Sequence, residues 1–548
     1  MLFFKKIFKK RKRTAVRNRM RGYRILKESG QLDLLIRIKD EITNTPLKQV
    51  KGGSSRIFFG AGIKNSENIL KQFLILRFAD LAFNRTILIA IGKGSKKLNI
   101  PVPYEWRLVL EKYGFQADTF WNKVIWLRQV AFFYAYGIFI GFQSLLIAFG
   151  KRKDFRNTVH PKPTVYFNAL TSNNLPQKQK DGKSYDIISW YSRWENRSGE
   201  LSAYCHSAKN TSQTELNDVP VIYVSSPLTI LKGFSQIFQY FLCLFWMPFL
   251  SLLDLLRGKY WYALLLSESF RSFHFRLLKP EQISADYLFH NSGYLFRPVW
   301  TYDAEEAGSR VLFYFYSSNI ERFKEPQGYA IQPYSWQIIT WTNYLVWDEY
   351  QADFIRRMTG KDKNIEIVGP IDFHDSNVEF QQLPEHSILV FDVQPHRDAQ
   401  YQMHVIVPEY FVPPVVNKFL EDIFILSKKY QLHMVLKRKR HIGNLLNRKY
   451  RALVEKLAQS DNFVSVNPDV AALRLIREAE VVISMPFTAT ALIARAEGKL
   501  SVFYDPSGLV QKDDRAAHGI EVLCGIEELE EWFEKYFKMQ DVKANTLI

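Results

Sequence analysis

The run LKRKRHIG, Leu436 to Gly443, sets four consecutive cations, Lys437, Arg438, Lys439 and Arg440, directly ahead of His441. In an extended stretch alternate side chains share a side, so one pair of these can line a cleft while the other faces outward. Cations held in that way suit a phosphate or pyrophosphate and the charge that builds on it as it leaves. The competing reading is a solvated basic loop. A second segment, VVISMPFTATALIARAEGKLSVFYD, joins a strand ending near Ser484 to an alanine-rich helix through a turn at Pro486 and Phe487. The positive end of that helix, with the hydroxyls of Thr488 and Thr490 around it, makes an anion site. The same residues also read as ordinary N-capping by Thr488. Glu497, at the far end of the helix, can accept hydrogen bonds from a ribose diol or simply face water.

These groups need a scaffold, and the apolar runs supply one. TVYFNAL (164–170), VPVIYVS (219–225), RVLFYFYS (310–317) and NYLVW (343–347) read as strands, as do NIEIVG (364–369), SILVFDV (387–393), LHMVLK (432–437), FVSV (463–466), VVISM (481–485) and LSVFYD (500–505). Helical patterns such as Val415 to Tyr430 and Lys449 to Ala458 separate the later ones. Strand, helix, strand at this spacing predicts βαβ units and parallel sheets covered on both faces. Ligands of such sheets bind beyond the carboxyl ends of the strands. That rule selects the residues already named and adds His396, which follows SILVFDV and either points at the anion or opens a helix with Asp398. Asp392, near the end of the same strand, is expected to fix local backbone groups.

The whole chain has 548 residues and a net charge of +19, with 47% hydrophobic residues and three cysteines. It is long enough for two or three domains and too apolar for disorder. Cys205, Cys243 and Cys524 are too few and too scattered for a disulfide framework or a zinc site. Eleven of the net charges lie in residues 1–30, where twelve Lys and Arg face the single Glu28 among Leu2, Phe3, Phe4, Ile7 and Phe8. Such a segment suits an anionic leaflet better than nucleic acid, for which no motif follows. Residues 129–150 and 233–253 are uncharged stretches long enough to cross a bilayer. Crossing, lying within one leaflet and forming a buried core remain three readings of them. The cations that flank them, Lys151, Arg152 and Lys153 with Arg257 and Lys259, place the adjoining domains in the cytoplasm if the pair crosses.

MPFTATALIARAEGKLSVFYDPSG, preceded by IREAEVVIS, LKRKR, VGPIDF and VWDEYQADFIRR, resembles the signature of the polysaccharide-biosynthesis PFTS-motif proteins. The resemblance runs from about residue 285 to 508, HNSGYLFRPVW and VLFYFYSSN included; the motif's last serine is Ala489 here, so any role of its hydroxyl passes to Thr488, Thr490 or a backbone N–H. These are bacterial surface-carbohydrate proteins similar to GT-B glycosyltransferases, and in layout to sialyltransferases and Kdo transferases. The resemblance implies an α/β, GT-B-like fold of two Rossmann-like domains with a membrane-associating helical insertion. The expected bounds are a basic membrane-proximal segment (1–30), an acceptor-side domain (31–335) carrying the two apolar segments, a nucleotide-sugar domain (336–525) and a C-terminal helix and tail (526–548). It further implies a nucleotide-sugar donor, with a CMP-linked nonulosonic acid favoured, held by Lys437 to His441, by Ser484, Thr488 and Thr490, and by the turn at Pro486 and Phe487. The acceptor is expected to be a lipid-linked or growing O-antigen or capsule glycan at the cytoplasmic face of the inner membrane. Sugar transfer needs a base for the acceptor hydroxyl. Asp186, Glu195 and His290 are the candidates, while no convincing Asp-x-Asp calls for a metal and no cofactor is expected. A polyol-phosphate transferase and a non-catalytic scaffold for polysaccharide assembly are the alternatives.

Overall fold

The computed structural model describes residues 2–31, 33–47, 55–149, 162–177, 184–196, 198–209, 214–292, 295–318, 321, 323–329, 334–360, 362–373, 378–397 and 409–545. Lys151, Arg152, Lys153 and Asp398, named above, lie outside them.

The first part of the chain is helical. α1 (Leu2–Glu28) packs on α2 (Asp80–Gly92), and a long helix α3 (Phe120–Phe149) follows. α1 and α2 approach so closely that a Cβ on Gly22 would lie 2.0 Å from the Leu88 carbonyl oxygen, and one on Gly92 would lie 1.8 Å from that of Asn18. Only glycine lets two backbones meet at that distance. The expected Rossmann-like unit therefore does not begin near residue 31. Strands start at Thr164, and the preceding helices form their own layer.

The first sheet contains β1 (Thr164–Phe167), β2 (Ala203–His206), β3 (Thr214–Leu216), β4 (Val219–Tyr223), β5 (Asp286–His290) and β6 (Arg310–Tyr314). A two-stranded hairpin, β7 (Lys324–Glu325) with β8 (Gly328–Tyr329), stands apart, and β9 (Asn343–Val346) and β10 (Asn364–Ile367) return to the sheet. Its order is β10-β9-β6-β5-β1-β2-β4-β3, parallel throughout except for the β3 edge. β9 and β10 move the boundary expected at residue 335 to beyond Ile367. A strand pattern identifies a strand but not the sheet it joins, and here Leu312 pairs with Asn343. Between the strands run α4 (Ile187–Glu195), α5 (Phe234–Leu256), α6 (Trp261–Arg276) and α7 (Glu349–Thr359).

The second sheet is built from β11 (Ser387–Phe391), β12 (His433–Lys437), β13 (Phe463–Val466), β14 (Val481–Ser484), β15 (Leu500–Asp505) and β16 (Val522–Cys524). Its helices are α8 (Pro413–Lys429), α9 (Arg448–Leu457), α10 (Ala472–Glu478), α11 (Ala489–Ala496) and the terminal α12 (Gly525–Asn545). All six strands are parallel in the order β13-β12-β11-β14-β15-β16. That is the doubly wound order in which the chain reverses direction between its first and fourth strands. The crevice this leaves lies between the carboxyl ends of β11 and β14, where Phe391 is in register with Ser484.

Loops at the carboxyl edge of the first sheet meet the second domain. Phe323, after β6, stacks edge-on against Phe487 at 4.7 Å; Asp348, after β9, accepts a 2.6 Å hydrogen bond from His518; Tyr185, after β1, lies under the Arg477 guanidinium at 4.4 Å. The α1–α2 crossing gives a direct test of the helical layer. Gly92→Ala is expected to cost about 1–3 kcal/mol, the usual range for overpacking, and to lower the melting temperature in calorimetry. Gly199→Ala, where a Cβ meets nothing within 4 Å, is expected to leave it unchanged.

Candidate functional site

Met485 to Thr488 form the turn between β14 and α11, and Phe487 takes a left-handed backbone with φ of 62°. For a bulky aromatic residue that conformation costs on the order of 1–3 kcal/mol and needs surrounding structure to hold it. The Phe487 ring is buried against Phe503 at 5.6 Å and against Phe323. Phe323 also packs on Tyr410 and Phe411. Pro486 is buried beside it. The Thr488 hydroxyl donates to the Met485 carbonyl at 3.0 Å and contacts the Thr490 hydroxyl at 3.2 Å, which in turn lies 3.0 Å from the Ser484 hydroxyl. The three hydroxyls thus lock the turn. Thr488 stands at the N-cap position of α11 but makes no capping bond to it, and no other side chain among the described residues caps the first-turn N–H groups of Ala489, Thr490 and Ala491. Uncapped amides at the positive end of a helix, beside a sheet crevice, are arranged to receive an anion.

Across the crevice, the loops after β11 and β12 are zipped together by their backbones. His396 bridges Leu446, Arg397 N donates to the Leu445 carbonyl at 3.0 Å and Asn447 N to that of Pro395 at 2.9 Å. The Gln394 side chain accepts from Arg440 N at 3.0 Å. This ledge borders a cavity of about 580 Å³ lined by Arg438, Arg440 and His441 at its rim and by Ile442, Leu446 and Tyr450 at its apolar wall. Arg438 and Arg440 share that side, as alternate residues do. Lys437 faces inward instead: its ammonium donates to the carbonyls of Arg438 (3.0 Å) and Pro468 (2.8 Å), and burial lowers its pKa to about 8. It staples β12 to the loop after β13. Lys439 is exposed, and His441 is exposed with Nε2 3.5 Å from Asp469.

Beneath the ledge, Asp392 is buried at the end of β11. Tyr450 donates its hydroxyl to one carboxylate oxygen, and the other has no partner among the described residues. Burial pushes this carboxyl up to about 6, against the Tyr450 hydrogen bond and the attraction of Arg438, which lower it. The expectation that Asp392 fixes backbone groups is replaced by this pairing.

The other sequence candidates separate cleanly. Asp186 is the N-cap of α4: its carboxylate accepts from Ile188 N (2.9 Å), Ser189 N (3.1 Å), and the hydroxyls of Ser184 (2.7 Å) and Ser189 (2.6 Å). With both oxygens saturated, it is a structural cap and not a base. Glu195 lies at the wrong edge. It pairs at 2.9 Å with Arg310, the first residue of β6, which also binds Asp286 at the start of β5. Glu497 ends α11, about 12 Å from its first turn at 1.5 Å per residue, and is held by Arg477 through contacts of 2.7 and 3.1 Å; it does not reach a ribose at the crevice. His290 ends β5 at the carboxyl edge of the first sheet, the edge that also carries Asp186 at the start of α4. Its Nε2 is 3.4 Å from the Ala169 carbonyl, its buried Nδ1 has no partner among the described residues, and burial lowers its pKa. Phe373 covers it at 5.3 Å between ring centres.

Asp372, which the sequence reading passed over, lies in the segment crossing between the sheets. It pairs with Arg193 of α4 at 2.5 Å, and burial raises its pKa to about 6 against the pull of Arg193 and Arg477. Gly-Pro before an aspartate, in VGPIDF, was the available signal. Among the described residues no group of three or more His, Cys, Asp or Glu is placed to hold a metal ion.

Fold and site together define an α/β protein with two parallel sheets and an anion-ready crevice in the second. The sequence profile of the polysaccharide biosynthesis PFTS motif proteins matches residues 240–533, more than half of the chain. The chain belongs to that family. Among solved structures it is similar to the UDP-GlcNAc 2-epimerase of Methanocaldococcus jannaschii (9% identity, TM-score 0.33, 67% of this chain and 90% of that one). It is also similar to the glycotransferase of kitacinnamycin (10%, 0.33, 67% and 89%) and to a UDP-glucosyltransferase from Polygonum tinctorium capable of glucosylating indoxyl (10%, 0.28, 63% and 80%). No curated protein matches the chain.

The Asp392 pairing predicts a pH dependence with a definite sign. Between its ordinary value near 4 and about 6, the folded state binds a proton that the unfolded state has released, so stability falls as pH rises through that window. Asp392→Asn removes the cost of the buried charge. The variant's stability relative to the parent is expected to be greatest at pH 7.5 and to drop by on the order of 1–3 kcal/mol at pH 4.5, read from urea unfolding at the two pH values.

Proposed function

We propose that this chain is a glycosyltransferase that moves a sugar from a nucleotide donor to a surface-polysaccharide acceptor. The observation that carries the reading is the uncapped first turn of α11, opened by the strained Phe487 turn at the reversal point of a doubly wound sheet. A GT-B-like arrangement follows, with the donor on the second sheet and the acceptor facing it from the carboxyl edge of the first. The amides of Ala489, Thr490 and Ala491 take the donor phosphate, Arg438 and Arg440 neutralise the departing nucleotide from the opposite bank, and the apolar wall at Ile442, Leu446 and Tyr450 takes a flat, uncharged part of the donor. Stabilising charge on the leaving group lowers the barrier because it acts where charge develops.

His290 is the base for the acceptor hydroxyl in this scheme. An imidazole whose buried Nδ1 has no partner among the described residues can take a proton from an acceptor hydroxyl once that nitrogen is uncovered. Phe373 lies over it, so acceptor entry is coupled to a shift of the crossing segment that carries Phe373. The acceptor is a lipid-linked or growing glycan at the cytoplasmic face of the membrane, and the preferred donor is a CMP-linked nonulosonic acid.

A thermal-shift panel of CMP, UDP, GDP and TDP tests the donor half. Bound at a hundred times its dissociation constant, the right nucleotide stabilises by about 2.7 kcal/mol. A shift with CMP is expected and is lost in Arg440→Ala; a shift with GDP alone overturns the nonulosonic acid preference, and no shift with any nucleotide supports a scaffold instead. Mass analysis of the product separates transfer of a sugar from transfer of a polyol phosphate. For the acceptor half, His290→Gln is expected to slow transfer about 10²–10⁴-fold while leaving the nucleotide shift intact. Unchanged turnover would remove His290 from the mechanism.

A further inference from the structure

α3 and α5 pack side by side, and each has one face on the protein and one exposed face that no described residue covers. Of their most apolar stretches only 22% and 28% is buried, which excludes the reading as interior helices. Phe132, Phe139 and Leu146 on α3, and Phe238, Phe245 and Phe249 on α5, are all exposed and recur at helical spacing, so each helix presents a continuous apolar stripe. A surface of this size is a docking face.

The opposite faces fix how it can dock. α6 lies against both helices and is buried along nearly all its length. α3 meets the body of the protein turn after turn: Trp126 packs edge-on against Tyr260 at 4.9 Å, Phe133 edge-on against Phe73 at 5.1 Å, and Gly137 and Gly141 lie so near Leu266 and Phe270 that a Cβ would sit 2.6 and 2.9 Å from them. Tyr134 reaches across to donate to the Pro248 carbonyl of α5 at 3.0 Å. The far side of α6 is polar and bonded to the sheet domain: Ser272 to Asp303 at 2.5 Å, His274 to the Thr229 carbonyl at 2.7 Å, and Glu268 to Val299 N at 3.3 Å. If α3 and α5 crossed a bilayer, this polar layer would have to enter hydrocarbon with them, and buried polar groups resist that transfer.

We propose that the exposed faces of α3 and α5 form one lipid-docking platform that enters a single leaflet, with both helices lying in the membrane plane. Charge selects the leaflet. Among the described residues the platform is bordered by the cations Lys123, Arg128, Lys232 and Arg257, while Asp254 on α5 is buried and pairs with Arg257 at 3.8 Å, and Asp118 before α3 pairs with Arg107 at 3.2 Å and Lys123 at 3.5 Å. Aromatic stripes edged by cations match an anionic headgroup region over acyl chains. The platform belongs to the first domain, so docking holds the acceptor side of the protein against the surface where a lipid-carried acceptor is found. The platform itself does not depend on the transferase reading.

Single cysteines at the two ends of α5 distinguish the geometries. Ser235 and Arg257 are both exposed and lie about 33 Å apart along the helix at 1.5 Å per residue, close to the thickness of the hydrocarbon core. With the full-length protein added to closed phosphatidylcholine–phosphatidylglycerol vesicles, a membrane-impermeant maleimide is expected to label both Ser235→Cys and Arg257→Cys above the parent background. Protection of one end alone would show a crossing helix and overturn the proposal. Vesicle co-sedimentation is expected to fall at least tenfold in the Phe139→Glu, Phe245→Glu double variant, with its circular dichroism unchanged and its nucleotide thermal shift equal to that of the parent. A parent protein that ignores vesicles and runs as a dimer would show that a second copy covers the face, and would equally overturn the proposal.

Discussion

A single strained residue organises the second domain. Phe487 occupies a left-handed backbone that aromatic side chains avoid, and it does so because its ring is wedged between Phe503 of β15 and Phe323 from the first domain. Turning the chain that sharply at the end of β14 starts α11 immediately, with its uncapped amides beside the crevice. A relaxed turn would add residues, move the helix start away from the sheet edge and let a side chain cap it. Strain that persists at a turn of this kind signals that the surrounding packing compensates for it.

Phe323 ties that turn to the other domain. It touches Tyr410, Phe411 and Phe487 together, so the anion-ready amides keep their shape only while the domains are in contact. Around this apolar wedge the contact is polar. Arg515 stacks on Tyr329 at 3.8 Å and pairs with Glu321 at 2.8 Å, while Glu321 is also held by Arg357 at 3.0 and 2.9 Å. Asp348 bonds His518. Interdomain surfaces with a small apolar centre and a charged rim permit relative motion, and here Phe323 is the apolar centre of that contact.

The sequence made the second sheet readable because its strands are short, mostly apolar and separated by segments of helical pattern. The ten runs read as strands are all strands, and the rule that ligands gather at their carboxyl ends led to the turn after β14 and the cations after β12. Two kinds of feature were hidden. β2 and β5, which flank β1, are AYCH and DYLFH, too brief and too mixed in polarity to stand out from their surroundings. The direction of a side chain was also hidden: Lys437 turns inward to backbone carbonyls, Asp186 caps a helix and Glu497 answers Arg477, none of which composition or spacing distinguishes from a ligand contact. Long-range pairing explains the misplaced domain boundary, since β9 joins β6 across a segment with a separate hairpin. The apolar stretches were visible at once, but only the packing of α6 showed that each has a protein-bound side and an open side.

The proposed transferase rests a nucleotide phosphate on the amides that open α11. Amide hydrogen exchange followed by mass spectrometry, with and without saturating nucleotide, reads those amides directly. Slowed exchange is expected in peptides covering Phe487 to Leu492, accompanied by slowed exchange around Arg438 to Ile442. Protection confined to other parts of the chain, with the Phe487 to Leu492 peptides unchanged by a nucleotide that demonstrably binds, would contradict it.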